Sequence, residues 1–150
     1  MSFHRIIPLI ILCAVLNGCG VGPQLTSAPP VPGVKIGNPY KIAGKWYTPA
    51  ANPNYNQVGV ASWYGPGFHN KKTANGETYN MNALTAAHTT LPMPSYVRVT
   101  NLENNRSLLL KINDRGPFVD DRLIDVSRRG AQLLGFEKRG TTRVRVEAVE

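Results

Sequence analysis

Two short apolar segments, each followed by an aspartate, constrain the fold of this chain more than any other feature. The first, Leu108–Ile112, leads to Asp114, and the second, Leu123–Ile124, leads to Asp125. The Gly116-Pro117 pair between them is a strong turn signal, so the chain reverses direction sharply there. The sequence therefore predicts two strands that carry acidic groups at neighbouring ends.

Positive charge accompanies these carboxylates and the chain as a whole. Arg115 and Arg122 lie beside the two aspartates, and the alternative interpretation of the stretch is a salt-bridged surface turn. The net charge is +8 over 150 residues, with the lysines and arginines scattered. Such a surface suits nucleic acid, anionic lipid or an acidic polymer such as cell-wall glycan. We find no nucleic-acid motif and no aromatic-basic platform, so we expect no nucleic-acid partner.

Apolar residues that alternate with polar or small ones predict further strands. Short helices are predicted at Asn82–His88 and at Ser127–Leu134, the second with Ser127 as N-cap and Gly135 as its stop. Many short strands in one small domain indicate a closed barrel, because closure removes exposed strand edges. The predicted strands centre on Val58–Ser62, Val97–Val99, Leu108–Ile112, Leu123–Ile124 and Val144–Ala148.

The N-terminal segment, residues 1–18, has the features of an export signal. Arg5 gives it a positive start, and an apolar run, Ile6–Leu16, follows. That run is too short to span a bilayer, which needs roughly 20 apolar residues. We therefore predict a signal peptide rather than a membrane-spanning helix.

The end of this segment, Leu16–Cys19, resembles a bacterial lipobox. We predict that Cys19 is lipidated by diacylglycerol and palmitate and anchors the chain to a lipid bilayer, with the domain in the periplasm. Gly20 after the cysteine favours the outer membrane. The alternative is an ordinary secreted protein with an incidental cysteine. Cys13 leaves with the signal, so no disulfide can form within the mature chain.

Residues 19–56 are rich in Pro, Gly, Ser and Ala and lack sustained periodicity, so we interpret them as a flexible tether. The second half of this segment is unusually aromatic, and we expect it to dock on the folded domain as a strap. The alternative is an aromatic platform for sugar rings. The residues concerned are Tyr40, Ile42, Trp46, Tyr47 and Tyr55.

Six motifs follow one another in a characteristic order along the predicted barrel. They are Gly59–Gly65, Phe68-His69, Thr73–Glu77, Ala86–Pro92, Asn113–Phe118 and Ile124–Ser127. Together they resemble the rare lipoprotein A (RlpA) family of bacterial septal lytic transglycosylases, and the lipobox agrees with this resemblance. The resemblance implies a mainly β, six-stranded double-psi β-barrel with short helices over residues 57–150. It also implies endolytic cleavage of peptidoglycan glycan strands, without peptide stems, that leaves 1,6-anhydro-N-acetylmuramic acid ends.

The resemblance also implies which residues are catalytic. Glu77, His88 and Asp114 match the polar residues on which the activity of the family depends. Asp125 lies where the wider superfamily, including expansins and membrane-bound lytic transglycosylase A, keeps an acidic residue facing the glycan groove. These four residues are the catalytic candidates.

Four further residues are candidates for substrate binding. Ser62 and Tyr64 fall where related barrels place a hydroxyl and an aromatic ring beside the acid. Phe68 lies near two glycines and is either packing at the barrel mouth or a sugar-stacking face, and Arg115 supplies positive charge beside the carboxylates.

Glycan cleavage without water requires an acid that protonates the glycosidic oxygen. The same group, now a base, can take the proton of the muramic acid C6 hydroxyl, so one carboxyl serves both steps. Its pKa must be raised by burial or by a second carboxylate. We expect Asp114 and Asp125 to form such a pair. Asp114 is the preferred acid/base, although the sequence leaves the choice open.

Simpler roles exist for the other candidates. His88 could be a helix-end histidine that only bonds a carbonyl, and Glu77 follows the Asn75-Gly76 turn, where a charged residue is ordinarily just solvated. A metal site of Glu77, His88 and Asp114 lacks dense ligand spacing, so we expect no metal and no cofactor.

Two other functions compete with the enzyme. One is an expansin-like lipoprotein that binds peptidoglycan without cutting it, and the other is a structural envelope lipoprotein. The chain ends at Glu150, just after the last predicted strand, so we expect no septal-glycan-binding SPOR domain. We expect a monomer.

Overall fold

The computed structural model describes residues 33–149. The predicted signal peptide, the predicted lipidation site Cys19 and the first part of the predicted tether lie outside the described residues. Between residues 33 and 149, no helix has the length and apolar character needed to cross a membrane. In chain order the elements are β1 (Tyr40–Ile42), β2 (Lys45–Tyr47), β3 (Asn56–Tyr64), a 3-10 turn (Pro66–Phe68), β4 (Thr85–Ala87), β5 (Ser95–Asn101), β6 (Ser107–Asp114), β7 (Arg122–Ser127), α1 (Arg128–Leu134), a second 3-10 turn (Glu137–Arg139) and β8 (Thr142–Val149).

Six of the strands close into a barrel in the order β3-β7-β4-β6-β5-β8. β3 is parallel to β7 and β4 is parallel to β6, whereas the other four pairings are antiparallel. Closure pairs each of these strands on both sides, so the barrel has no free edge. The prediction of a mainly β, six-stranded closed barrel with short helices is confirmed.

Alternating side chains fill the barrel. Val97 and Val99 on β5 are fully buried, as are Val144 and Val146 on β8, while the arginines between them face solvent. This is the period of two that a strand with one buried face requires. The remaining core residues are Ala61, Ala86, Leu91, Leu110, Ile112, Ile124, Val126, Ala131, Leu134 and Phe136.

The helix predicted at Asn82–His88 is wrong, because strand β4 occupies its second half. All three residues of β4 are buried, and the strand is paired with β6 on one side and β7 on the other. Alanine favours a helix in isolation. Here Ala86 is fully buried in the core, so pairing on both sides outweighs the local preference.

The other predicted helix is confirmed as α1. The hydroxyl of Ser127 accepts a hydrogen bond from the backbone N–H of Gly130 at 3.1 Å, which is the expected N-cap. Gly135 ends the helix with φ of 82°, a left-handed conformation that glycine adopts without strain.

A small hairpin, formed by β1 and β2, precedes the barrel and lies within the segment interpreted as a tether. Tyr40 donates its hydroxyl hydrogen to the carbonyl of Thr89 at 2.7 Å and stacks on Tyr47 with ring centroids 5.2 Å apart. Both rings meet Phe118 edge-on. This half of the segment therefore docks on the barrel, although Trp46 is 64% exposed.

Candidate active site

One row of paired residues crosses four adjacent strands of the barrel. Ser62 of β3 is paired with Asp125 of β7, and Asp125 is paired in turn with Ala87 of β4. Ala87 is also paired with Asp114, the last residue of β6. The chain neighbours of Asp125 on both sides fill the core, so its own side chain points out of the barrel.

The expectation that Asp114 and Asp125 occupy neighbouring strand ends is wrong, because β4 lies between β6 and β7. Asp125 also lies within β7 rather than at its end. Two strand spacings place the backbones of the aspartates roughly 10 Å apart. Asp114 bonds to backbone N–H groups and Asp125 pairs with Arg122, so each carboxyl has its own partners.

The Asp125 carboxyl lies in the wall of a cleft of about 340 Å³. Burial raises its pKa, and the positive charge of Arg122, whose Nη1 is 3.5 Å from Asp125 Oδ1, lowers it by less. The side chain is only 15% exposed, and Oδ1 accepts no hydrogen bond from the described residues. A carboxyl whose neutral form is favoured by burial suits the role of proton donor.

Aromatic rings and a glycine-rich turn form most of the cleft. Tyr64 stacks on Tyr79 with ring centroids 4.2 Å apart and meets Phe68 edge-on at 5.9 Å. Phe68 is 54% exposed, so its ring is available to a ligand. Ligand-binding clefts commonly combine such apolar surfaces with a few polar groups. The lining residues are Trp63, Tyr64, Gly65, Pro66, Gly67, Phe68, Arg122 and Asp125.

The Tyr64 hydroxyl lies in the field of both aspartates. Burial is the main cause that raises its pKa, and the charges of Asp114 and Asp125 add to the effect. This hydroxyl and that of Thr85 are buried beside each other, and the Thr85 hydroxyl partly offsets the rise in the pKa of Tyr64, although neither makes a hydrogen bond of standard geometry among the described residues. Buried polar atoms of this kind mark places that a ligand or a water completes.

Asp114 is held by the backbone of two segments. Its Oδ1 accepts hydrogen bonds from the N–H of Ala74 at 2.9 Å and from the N–H of Arg115 at 2.8 Å. Its backbone carbonyl accepts from the N–H of His88 at 3.1 Å. These hydrogen bonds fix the position of the Asp114 carboxyl relative to both segments.

Glu77 fastens the loop that supplies the Ala74 N–H. Its Oε1 accepts from Asn75 Nδ2 at 3.0 Å and from Lys111 Nζ at 2.9 Å, and its Oε2 accepts from Asn113 Nδ2 at 3.0 Å. The bonds from Asn113 and Lys111 hold the pKa of Glu77 below its usual range. Glu77 does not line the cleft. It joins its loop to β6, the strand that ends in Asp114.

His88 is buried as a neutral ring. Its Nδ1 accepts from the backbone N–H groups of Thr90 and Leu91, both at 3.1 Å, which leaves the proton on Nε2, 2.8 Å from the Tyr55 hydroxyl oxygen. Burial, and to a smaller extent the charge of Arg115, lowers its pKa to about 4. The ring is thus bonded to the backbone and to a tyrosine.

Arg115 also bonds to the backbone. Its Nη1 donates to the carbonyls of His88 at 3.2 Å and Leu91 at 2.6 Å, and its Nη2 donates to the carbonyl of Ile36 at 3.0 Å. The cation that lines the cleft is instead Arg122. The sequence places Arg122 beside the aspartates, at the start of the strand that carries Asp125, but does not distinguish it from Arg115.

The predicted site residues therefore fall into two groups. Asp125, Tyr64 and Phe68 line the cleft, with Ser62 paired beside Asp125 and Asp114 close to the Tyr64 hydroxyl. The second group contacts Asp114 or its neighbour in the chain and does not line the cleft. It consists of Glu77, His88 and Arg115. Residues 33–149 contain no group of three or more His, Cys, Asp or Glu side chains placed to hold a metal ion.

Comparisons with known proteins agree with this geometry. Residues 56–146 match the family model described as lytic transglycolase. The chain is 51% identical over 130 residues to endolytic peptidoglycan transglycosylase RlpA of Pseudomonas aeruginosa, which covers 85% of this chain and 38% of that protein. It is 53% identical over 116 residues to the protein of that name from Rickettsia felis, covering 75% of this chain and 51% of the relative. The chain thus spans about half or less of the length of these relatives.

Solved structures support the fold alone. The Streptomyces papain inhibitor superposes with a TM-score of 0.56 at 18% identity, covering 67% of this chain and all of that one. An expansin of Clavibacter michiganensis superposes with a TM-score of 0.51 at 14% identity, covering 64% of this chain and 51% of that one. With its barrel, its motifs and these matches, the chain belongs to the lytic transglycolase family of double-psi β-barrels, the family of the RlpA proteins.

Proposed function

We propose that this protein cleaves the glycan strands of peptidoglycan internally, by lytic transglycosylation. The observation that carries the proposal is the position of Asp125, a buried carboxyl of raised pKa in the wall of an aromatic cleft. Family membership and the names of the relatives support the same reaction and substrate class.

Asp125 acts as both acid and base in the proposed mechanism. Its proton moves to the glycosidic oxygen as the bond from that oxygen to C1 of N-acetylmuramic acid breaks. The resulting carboxylate then takes the proton of the C6 hydroxyl, and O6 bonds to C1 to close the 1,6-anhydro ring. No water is consumed, and Asp125 ends the cycle protonated, as it began.

Asp114 acts as a fixed negative charge rather than as the preferred acid. Two backbone N–H groups bond to its Oδ1 and hold the group in place. A carboxylate near the reacting sugar stabilises the positive charge that develops on the ring as the glycosidic bond breaks. The buried Tyr64 hydroxyl lies in the field of both acids and is a candidate for bonding a sugar oxygen.

Three of the other candidates act through Asp114. Glu77 fixes the loop whose Ala74 N–H bonds to Asp114, while His88 and Arg115 fix the turn at Leu91 beside it. We therefore assign them to positioning rather than to proton transfer. Phe68 is assigned to the wall that contacts the glycan, and Ser62 to the strand pair that holds Asp125.

Mass spectrometry of digested glycan tests the reaction. Purified glycan strands incubated with the protein are expected to yield fragments with 1,6-anhydro-N-acetylmuramic acid ends, and Asp125→Asn is expected to yield none above background. Binding to insoluble peptidoglycan by both forms, with no anhydro ends from either, would replace the enzyme by a non-catalytic, expansin-like binding protein.

The lipid anchor is proposed from the N-terminal sequence. Cys19 carries diacylglycerol and palmitate and holds the domain in the periplasm as a monomer on the outer membrane. Cells grown with a palmitate analogue are expected to label the protein in the membrane fraction, and Cys19→Ser is expected to abolish labelling. Equal labelling of the two forms would contradict the anchor.

A further inference from the structure

Arg122 is the one cation among the residues that line the cleft. Its Nη1 lies 3.5 Å from Asp125 Oδ1, longer than the roughly 2.8 Å of a charge-assisted hydrogen bond. Its Nε is buried without a hydrogen-bond partner among the described residues, and 26% of its side chain is exposed. The guanidinium therefore lies in the cleft wall with hydrogen-bond donors that its ion pair with Asp125 does not satisfy.

The residues that line the cleft with Arg122 indicate which kind of ligand it binds. The rest of the wall consists of aromatic rings, small residues and one buried carboxyl, which suits a sugar ring. A planar guanidinium binds a carboxylate in a bidentate manner, a geometry that neutral sugar hydroxyls do not match as well. Together, the aromatic rings and the guanidinium suit a sugar that carries a carboxylate.

We propose that Arg122 binds the lactyl carboxylate of N-acetylmuramic acid and so distinguishes this sugar from N-acetylglucosamine within the glycan. The two sugars differ only in the lactyl ether, and in a residue that bears a peptide stem this carboxylate is replaced by an amide. The identity of the polymer rests on the proposed function, whereas the preference for a sugar acid rests on the cleft itself.

Binding at Arg122 has a consequence for Asp125. A carboxylate that engages the guanidinium competes with Asp125 for it, and Arg122 is the charge that lowers the pKa of Asp125. The other ionisable groups that face Asp125 are Tyr64 of β3 and, beyond it, Asp114 of β6, while β4 presents the uncharged Ala87. Substrate binding therefore favours the protonated acid that cleavage requires.

Two other cations near the cleft do not fit this role. Arg115 donates to three backbone carbonyls. Lys71 lies over the ring of Phe68, with Nζ 5.4 Å from the ring centroid, at the edge of the cleft. Lys71→Gln is therefore a matched control, because it removes one positive charge beside the same cleft and replaces none of the residues that line it.

Ligand titrations followed by NMR test the proposal without requiring turnover. The probes are N-acetylmuramic acid, its lactyl methylamide and N-acetylglucosamine. The wild-type protein is expected to bind the free acid about tenfold more tightly than the other two, the ratio expected for one charge-assisted contact. Arg122→Gln is expected to bind all three alike, Arg122→Lys to retain part of the preference, and Lys71→Gln to retain it.

Equal affinity of the wild-type protein for the three sugars, or no binding of any, would overturn the proposal, and neither result depends on the folding of a variant. A preference that survives in Arg122→Gln would overturn the assignment to this residue. Failure of the reaction is separate, because glycan without new anhydro ends would leave a measured preference for the acid intact.

Discussion

The hydroxyl oxygen of Tyr55 lies 2.8 Å from Nε2 of His88, and this contact joins the segment before the barrel to the buried ring. Because Nδ1 already accepts two backbone N–H groups, His88 has no free lone pair with which to accept a proton from substrate. The ring organises the turn from His88 to Leu91, and Arg115 bonds to both ends of that turn.

Because the His88 ring is buried in its neutral form, we expect the folded protein to lose stability in mild acid. Burial lowers the pKa of His88 from 6.5 to about 4. The unfolded chain therefore binds a proton below pH 6.5 that the folded chain binds only near pH 4, and the free energy of unfolding falls across this window by roughly 3 kcal/mol. Urea unfolding at several pH values measures this fall.

The matched variant is His88→Gln. It is expected to be less stable at neutral pH, because Thr90 and Leu91 lose their acceptor, but to lose less further stability between pH 6.5 and 4. The same acid-dependent loss in both proteins would mean that other groups cause it and that His88 is not buried neutral.

The different environments of the two aspartates predict different effects on the pH profile of cleavage. A rate that requires protonated Asp125 falls as pH rises through the pKa of that group, which burial raises above the usual aspartate range. Asp125→Asn is expected to remove the activity, with a loss of about a thousandfold or more. Asp114→Asn is expected to reduce the rate about a hundredfold and to leave the alkaline limb where it was.

Measurement of initial rates of anhydro-end formation between pH 4 and 9 checks this assignment. An alkaline limb that disappears in Asp114→Asn, with Asp125→Asn still active, would exchange the roles of the two residues. Retained binding of both variants to insoluble peptidoglycan is the control that the cleft is intact.

The barrel was predictable from the sequence because its long strands alternate cleanly. The spacing of alternate valines indicates a buried strand face, as with Val97 and Val99 on β5 and with Val144 and Val146 on β8. Strand β4 has three residues, two of them alanines, and nothing local distinguishes it from a helical turn. Strand β4 forms because it pairs with strands that are distant in the chain, and local secondary-structure propensity does not include such pairing.

The error at β4 also explains the error at the site. Without β4, the strands that carry Asp114 and Asp125 are consecutive in the chain and are expected to pair, so a carboxyl dyad follows. With β4 inserted, Ala87 separates the two acids. The sequence could not show which of Arg115 and Arg122 lines the cleft, since both flank an aspartate. Only the fold shows that the Arg115 guanidinium bonds to carbonyls and that Arg122 lies in the cleft wall.

Glu77 is expected to affect turnover rather than binding. Glu77→Ala removes the acceptor for Asn113 and Lys111 and loosens the loop whose Ala74 N–H bonds to Asp114. We expect kcat to fall about tenfold or more with little change in KM, because a small displacement of a charged group is costly in the transition state.

Glu103→Ala is the matched control for Glu77. Both carboxylates have side chains that are 39% exposed and pair with one cation, but Glu103 pairs with Arg139, and among the described residues its side chain makes no bond to the loop that carries Ala74. Equal loss of kcat in both variants, or a rise in KM confined to Glu77→Ala, would contradict a positioning role.

Gly65 and Gly67, in the turn that lines the cleft, are expected to respond differently to replacement by alanine. A Cβ at Gly65 would lie 2.5 Å from Cζ3 of Trp63, and that ring is held by the bond from its Nε1 to the carbonyl of Glu137 at 3.1 Å. Gly65→Ala is therefore expected to lower the free energy of unfolding by about 1–3 kcal/mol, as overpacking does, and to reduce glycan cleavage. At Gly67 a Cβ would meet no atom within 4 Å, so Gly67→Ala is expected to change stability by less than about 0.5 kcal/mol. Urea unfolding and cleavage assays on both variants measure the difference, and equal effects would mean that the Trp63 ring yields and that its position does not shape the cleft.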